Sequence, residues 1–293
     1  VKKLRAMQET LFKSTRHVGV PFGKLLNLKE NVEAAKLGKE VDSLLISMIS
    51  SRKGLTPMNG GHPQNDLLCQ LMKETDEDGG VGKTLTAKEL VDECKTFFFG
   101  GHETTALALS WTLLLLAMHP EWQQQLRDEI ESVTGGETLD YTILPRLKKM
   151  GWVMSEVLRL YSPAPNVQRQ VRADMKVGNL IVPSGTNVWI DVVSLHRDPE
   201  LWGEDAFEFK PERFMEDIHG GCRHKMGYLP FGFGGRMCIG RNLFTMEYKI
   251  VLAAIISRFS LSLAPSYIHS PCIMLSLRPR CGIQLLLNPI KGH

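Results

Sequence analysis

The feature that most constrains the fold is one long helical pattern in the middle of the chain. It begins at Thr86-x-x-Glu89, a capping-box signature in which each side chain satisfies a backbone N–H of the other residue. It continues to His119-Pro120, where proline stops a helix. A helix over about 86–119 is roughly 50 Å long at ~1.5 Å per residue. It crosses a whole domain, so other elements must pack around it.

The rest of the chain predicts further helices and a minor sheet. Helical periodicity indicates helices at about 29–53, 121–133, 147–160 and 243–257. Alternating apolar residues around turns at 178–179 and 183–185 predict a small antiparallel sheet over about 171–193. Short strands are expected near 259–264 and 282–288. The predicted fold class is mainly α with a minor antiparallel β component.

Charge and cysteine usage exclude several functional classes. The net charge of +3 is too small to indicate a nucleic-acid partner. The six cysteines form no C-x-x-C pair, which favours reduced thiols over a disulfide framework. A zinc site is conceivable at His219-x-x-Cys222-x-His224, but no second cluster completes four ligands. The most apolar stretch, Ala106–Met118, is too short to span a bilayer.

The centre of the long helix, "FFFGGHETTAL", has an unusual composition. Gly100 and Gly101 together cost about 2 kcal/mol relative to alanine in a helix, and glycine allows another body to approach the backbone closely. Glu103 and Thr104 follow directly, so the stretch predicts a groove with a proton-handling pair at its edge. A kinked helix packed on a neighbour, with Glu103 in solvent, explains the same residues.

A second constellation is "SEVLRLY", where Glu156 and Arg159 share one helix face. Most pairs of this kind are surface decoration worth under ~1 kcal/mol. The apolar flanks indicate that this pair is buried, and a buried pair needs further partners to offset desolvation. Arg213 in "FKPERF" is the candidate partner.

The third constellation is "FGFGGRMCIG", residues 231–240, which places Cys238 just before a helix. It lacks the Lys-Ser/Thr of a P-loop and the third glycine of a dinucleotide fingerprint. The unpaired amides at a helix start stabilise a thiolate. Such a thiolate is a nucleophile or an axial ligand to haem iron, and Arg236 could then meet a haem propionate. A buried structural cysteine is the simpler interpretation.

Read in order, G-G-H-E-T-T, E-x-x-R, P-E-R-F and F-x-x-G-x-R-x-C-x-G resemble the signature of the cytochrome P450 family. The last pattern is matched at every fixed position, namely Phe231, Gly234, Arg236, Cys238 and Gly240. The resemblance runs from about residue 30 to the C-terminus. It is closest to the plant branch related to hormone- and lipid-modifying members.

The resemblance implies a role for each motif. Cys238 matches the thiolate ligand of haem b, and the groove at Gly100 and Gly101 would lie over the distal haem face. Glu103 and Thr104 match the acid–alcohol pair that relays protons. The structural triad that supports the cysteine loop corresponds to Glu156, Arg159 and Arg213. The segment 166–169 would line the haem pocket, with Arg169 as a second propionate partner, and 272–275 would contact substrate.

The resemblance also implies an activity and partners. It is the insertion of one oxygen atom from O2 into a small apolar substrate, with electrons from NADPH-cytochrome P450 reductase. The basic residues near the cysteine loop are expected to form the docking face for this reductase, namely Arg223, Lys225, Arg241 and Lys249, alongside Lys148 and Lys149. Members of the family are considerably longer at the N-terminus, so the resemblance implies that the N-terminal part of the fold, including a membrane anchor, is missing from this chain, which opens with Val1 in a charged run. The full protein would sit on the cytosolic face of the endoplasmic reticulum membrane, and this chain alone would hold haem poorly.

A non-catalytic haem-binding or interaction fragment is the alternative. A cysteine hydrolase fits less well, since no histidine–acid motif accompanies Cys238.

Overall fold

The computed structural model describes residues 28–53, 66–73, 85–136 and 140–290, together with Ala6. The chain divides into two compact units, residues 1–102 and 103–293, and each has its own apolar core.

The first unit contains α1 (Leu28–Lys53), α2 (Leu67–Lys73) and the beginning of α3 (Ala87–Met118). The predicted capping box opens α3: Thr86 N donates to Glu89 Oε2 at 2.8 Å, and Glu89 N donates to Thr86 Oγ1 at 3.2 Å. α2 is capped by Asp66, which accepts from Cys69 N at 2.9 Å and pairs with Arg52. The core of this unit comprises Val41, Leu45, Ile49, Leu90, Val91 and Cys94.

The second unit contains the rest of α3 and further helices. They are α4 (Pro120–Thr134), α5 (Lys148–Leu160), α6 (Val192–Leu195), α7 (Pro199–Trp202) and α8 (Arg241–Ile256). Short 3-10 helices span Tyr141–Arg146, Pro211–Phe214, Lys225–Gly227 and Gly234–Arg236. α8 packs against α4, α5, the strand Phe259–Leu263 and the Tyr141–Arg146 turn, so the helix after the cysteine loop lies at the centre of the unit.

Three buried polar side chains fix the packing of this core. Gln123 of α4 donates to the carbonyls of Leu116 and Leu261 at 2.7 and 2.9 Å, and its Oε1 accepts from Leu261 N at 2.9 Å. The hydroxyls of Thr112 in α3 and Tyr248 in α8 lie 2.8 Å apart. Because buried polar groups must be hydrogen-bonded, these contacts join α3, α4, α8 and the following strand in one register.

Antiparallel strand pairs complete the part of the second unit that the structure describes. β1 (Asn166–Gln170) pairs with β4 (Asn187–Asp191), and β2 (Met175–Val177) pairs with β3 (Leu180–Val182). β5 (Phe259–Leu263) pairs with β8 (Leu285–Pro289), and β6 (Pro271–Ile273) pairs with β7 (Leu277–Pro279). Within the small antiparallel sheet predicted over about 171–193, the structure joins β2 and β3 around the turn at 178–179. β4 pairs instead with β1, which lies before residue 171.

The fold class is the predicted one, mainly helical with small antiparallel sheets. Among the helices that the structure describes, none combines the length and apolar character needed to cross a membrane.

Candidate functional site

The cysteine loop is closed by its own backbone. Cys238 N donates to the Phe231 carbonyl at 2.8 Å, so the two ends of the segment 231–238 meet. Gly232 and Gly234 adopt φ of 72° and 73°, a left-handed conformation that favours glycine over other residues. Cys238 is exposed and is not part of a disulfide. The loop therefore presents a free thiol at its surface, three residues before α8 begins.

An aromatic row ties the loop to the core. The Phe231 and Phe244 rings contact edge-to-face, and their centroids are 5.4 Å apart. The ring centroids of Phe244 and Tyr248 are 5.7 Å apart. Tyr248 is fully buried, and burial raises the pKa of its hydroxyl, so this group stays protonated in its contact with Thr112. Through this row the loop is packed against α8 and joined to α3.

Arg159 of α5 forms the second part of the site. Its Nε and Nη2 donate to the two carboxylate oxygens of Glu156 at 2.7 and 2.8 Å, and both side chains are fully buried. Nη1 donates to the carbonyls of His196 and Ala206 at 2.9 and 2.5 Å, and Nη2 also donates to the carbonyl of Glu208 at 3.0 Å. The pair thus has the additional partners that a buried ion pair requires.

Arg213 joins this pair, as the sequence predicts. Its Nε lies 3.6 Å from Glu156 Oε1, and its Nη2 contacts Asp205 Oδ1 at 2.7 Å. Glu156 Oε1 also accepts from Lys210 N at 2.9 Å. Hydrogen bonds from Lys210 and Arg213 lower the pKa of the Asp205 carboxyl to about 2. The segment 205–213 is therefore held against α5 by charge-assisted hydrogen bonds.

His196 connects the buried arginine to the cysteine loop. Its backbone carbonyl accepts from Arg159, and its ring Nε2 accepts from Leu229 N at 2.8 Å. One residue earlier, the Tyr228 hydroxyl donates to the Ser155 carbonyl of α5 at 2.9 Å. Leu229 in turn accepts from Gly232 N at 3.1 Å. The entry into the loop is thus anchored on α5 by two adjacent residues.

Two arginines lie at or near the loop. Arg236 is exposed within it. Arg169 of β1 places its Nη2 3.9 Å from where a Cβ would stand on Gly232, and its Nη1 donates to the Gln168 carbonyl at 2.8 Å. The structure therefore brings Arg169 to the loop, and both cations are suited to carboxylate groups.

Glu103, the acid of the predicted proton relay, is hydrogen-bonded to two residues of the β6–β7 hairpin. Glu103 Oε1 accepts from Arg278 Nη2 at 2.5 Å and from Ser276 Oγ at 3.1 Å. The Glu103 side chain is 15% exposed, so it is not the solvated carboxylate of the kinked-helix interpretation. A Cβ added to Gly100 or Gly101 would meet none of the described atoms within 4 Å, so close packing by these residues does not explain the two glycines.

Sequence reasoning missed several residues and misplaced one. His196, Tyr228, Asp205 and Lys210 follow no local pattern, and Arg278 is separated from Glu103 by 175 residues. Lys249 was expected on a basic face around the loop. This is wrong, because its Nζ is buried and donates to the Leu144 and Leu147 carbonyls at 2.8 Å each. Burial lowers the pKa of this ammonium group.

The residues present fit a haem bound through sulfur. The Cys238 thiol is accessible, and thiolate sulfur is an axial ligand of haem iron. Arg236 and Arg169 supply cations for two propionates. Zinc has less support, since no group of three or more metal-ligating side chains is found in the part of the chain that the structure describes.

The chain is similar to one protein family and to several curated proteins. The family model for cytochrome P450 matches residues 2–285. A cytokinin hydroxylase of Arabidopsis thaliana is 40% identical over 98% of this chain and 55% of its own length. The 11-oxo-beta-amyrin 30-oxidase of Medicago truncatula is 35% identical over 98% of this chain and 56% of its own. Secologanin synthase 1 of Catharanthus roseus is 33% identical over 99% and 56%. The chain thus spans about half the length of the curated relatives it matches.

Proposed function

Since the chain belongs to the cytochrome P450 family, we propose that it forms the haem-binding part of a monooxygenase. The reaction inserts one oxygen atom of O2 into an apolar organic substrate and reduces the other to water. The observation that carries this proposal is Cys238, a free and exposed thiol in a closed glycine loop that is anchored on α5.

Haem b, bound through the Cys238 sulfur, would supply oxygen activation, because a thiolate ligand donates electron density that favours O–O cleavage. Arg236 and Arg169 would bind the propionates. The charged cluster of Glu156, Arg159 and Arg213 would fix the segments that anchor the cysteine loop. The Cys238 sulfur would then stay in one position. Gly100 and Gly101 would leave the helix surface flat enough for a porphyrin to approach.

Glu103 and Thr104 would move protons into the site. A carboxyl group and a hydroxyl on adjacent residues form a short donor–acceptor chain, with Glu103 taking up protons and the Thr104 hydroxyl passing them on. Without Glu103 and Thr104 to direct protons, O2 would take up two electrons and two protons from solvent and leave as hydrogen peroxide, and no product would form.

The names of the relatives support a lipid, terpenoid or hormone-like substrate. One relative is a cytokinin hydroxylase and another oxidises 11-oxo-beta-amyrin. We propose NADPH-cytochrome P450 reductase as the electron donor. We also propose the cytosolic face of the endoplasmic reticulum membrane as the location, with attachment through sequence outside this chain.

The test uses protein translated from the complete transcript, so that any sequence beyond residues 1–293 is included. The ferrous protein with bound CO should show the absorption band of a thiolate-ligated haem, and Cys238→Ala should abolish it. Cys281→Ala is the matched control, because Cys281 is also a free, exposed cysteine. A normal thiolate band in Cys238→Ala would contradict the assignment. A normal band in the unmodified protein without NADPH-dependent turnover would favour the non-catalytic fragment.

A further inference from the structure

The geometry points to Arg278 as a positioning residue for Glu103, assisted by Ser276. The inference rests on the proposed function, in which Glu103 supplies protons. Arg278 Nη2 and Ser276 Oγ both donate to Glu103 Oε1, at 2.5 and 3.1 Å, and Arg278 Nη2 also lies 3.2 Å from Ser276 Oγ. These three side chains therefore form one cluster around a single carboxylate oxygen.

The cluster is largely shielded from water. Arg278 and Ser276 are each 4% exposed, and the Glu103 side chain is 15% exposed. A buried ion pair is weak evidence for stability, because removing two charges from water offsets much of their attraction. Shielding also strengthens the force that orients the carboxylate, since the interaction is screened less than at the surface. The cluster is thus better explained as a device for orientation.

The arginine is itself held firmly. Leu277, its neighbour in β7, donates its N–H to the Pro163 carbonyl at 3.1 Å. The Leu277 carbonyl accepts from Trp111 Nε1 of α3 at 3.1 Å, in a buried contact. Trp111 follows Glu103 by about two helical turns. α3 and β7 are therefore joined at two points, and Arg278 is fixed relative to the carboxylate it contacts.

The cluster acts on one oxygen of the acid and leaves the other to exchange protons. Among the described residues, both hydrogen bonds to the Glu103 carboxylate end on Oε1. Oε2 can then take up a proton and hand it on without breaking the contact with Arg278. Fixing this geometry matters because general acid–base transfer requires the donor within hydrogen-bond reach of the acceptor.

The same hairpin carries the turn that the family resemblance assigns to substrate contact. Ile273 and Leu275 are 51% and 52% exposed on either side of Met274, next to Ser276. Met274 N donates to the Ser276 carbonyl at 3.1 Å, which makes the turn a compact unit with the cluster. The acid is thereby held by the structural element that would touch the substrate.

The experiment measures product formed per NADPH consumed in the haem-loaded protein translated from the complete transcript. Arg278→Met should lower this ratio by about tenfold. This is less than the 10²–10⁴-fold rate enhancement that general acid–base catalysis supplies, because Glu103 itself remains. Arg278→Lys should recover part of it, because lysine keeps the charge but not the fork geometry. The KM for substrate and the CO spectrum should stay unchanged. Arg280→Met, at an exposed arginine two residues along, is the control.

Ser276→Ala provides a milder variant if Arg278→Met does not fold, and it should lower the ratio by about twofold, as expected for one lost hydrogen bond.

Glu103→Gln separates this inference from the proposed function. If Glu103→Gln leaves the ratio unchanged, both the proton role of Glu103 and the positioning role of Arg278 are overturned. If Glu103→Gln lowers it while Arg278→Lys and Ser276→Ala match the unmodified protein, only the positioning role is overturned. In the double variant Glu103→Gln/Arg278→Met, the ratio should fall no further than in the worse single variant.

Discussion

Arg159 uses all five of its guanidinium N–H donors inside the core. Two go to Glu156 and three go to backbone carbonyls of residues 196, 206 and 208. Lysine has three donors on a single nitrogen and cannot reproduce this fork. The side chain thus determines where the segments around His196 and Ala206 lie, and through Leu229 it reaches the cysteine loop.

His196 makes stability depend on pH. Burial lowers the pKa of its ring to about 4, from an ordinary value of about 6.5. Between these values the unfolded state binds more protons, so stability falls as the pH drops from about 6.5 towards 4. The difference corresponds to roughly 3 kcal/mol at ~1.4 kcal/mol per pH unit. We expect the free energy of unfolding to decline over this window, and to decline less in His196→Gln, whose side-chain oxygen can still accept from Leu229 N.

The control for this experiment is His102→Gln, since His102 is exposed. It should keep the pH dependence of the unmodified protein. An identical slope of the unfolding free energy in His196→Gln and the unmodified protein between pH 6.5 and 4 would show that the buried imidazole is not responsible.

At the scale of elements, the glycines of α3 give the clearest test. Alanine at Gly100 or Gly101 should stabilise the helix by about 1 kcal/mol each, because its Cβ would meet none of the described atoms within 4 Å. The same methyl group should obstruct the haem that the proposed function brings to this surface. We therefore expect a higher melting temperature of the haem-free protein together with lower haem content, measured as haem absorbance per chain.

Gly38→Ala in α1 is the matched control, since a Cβ there also meets none of the described atoms within 4 Å. It should raise the melting temperature of the haem-free protein without lowering haem content. If Gly100→Ala and Gly101→Ala bind haem as fully as Gly38→Ala, the glycines do not serve the approach of the cofactor.

Helix positions followed from the sequence, whereas strand partners did not. α3 and α5 lie within one residue of the predicted limits, because capping residues and proline act locally. The pairing of β4 with β1 has no comparable local signal, since the two strands are separated by other elements. The turns at 178–179 and 183–185 both predict a connection between paired strands, and only the first of them joins two strands that pair with each other.

The candidate site shows the same division. The cysteine loop and the Glu156–Arg159 pair are contiguous patterns, so their residue types and spacing could be recognised directly. Arg278 and His196 act over 175 and 33 residues of separation, and only the folded chain brings them to their partners. Lys249 was misassigned because a lysine in an amphipathic stretch looks solvent-exposed until its neighbours are known.

At the scale of the whole molecule, positive charge lies on both sides of the cysteine loop. Arg223, Lys225, Arg236 and Arg241 are exposed in the sequence around it. Lys249 of α8 donates to the Leu147 carbonyl at 2.8 Å, which brings the start of α5 next to the helix that follows the loop. Lys148, exposed at that start, therefore belongs to the same region. Such a group of cations can steer an acidic partner to the surface above the cysteine.

Charge reversal at Lys148 and Lys149 tests this steering. Both residues lie in the first turn of α5, where acidic side chains interact favourably with the helix dipole, so we expect the variants to fold. Lys148→Glu and Lys149→Glu should slow reduction of the haem by the NADPH-dependent reductase, measured by stopped-flow at low ionic strength. The resting spectrum should not change.

Lys176→Glu, on the exposed β2–β3 hairpin, alters the net charge equally and is the control. Because salt screens such attraction, the difference should shrink as ionic strength rises. Reduction rates that match the control at every ionic strength would place the docking surface elsewhere.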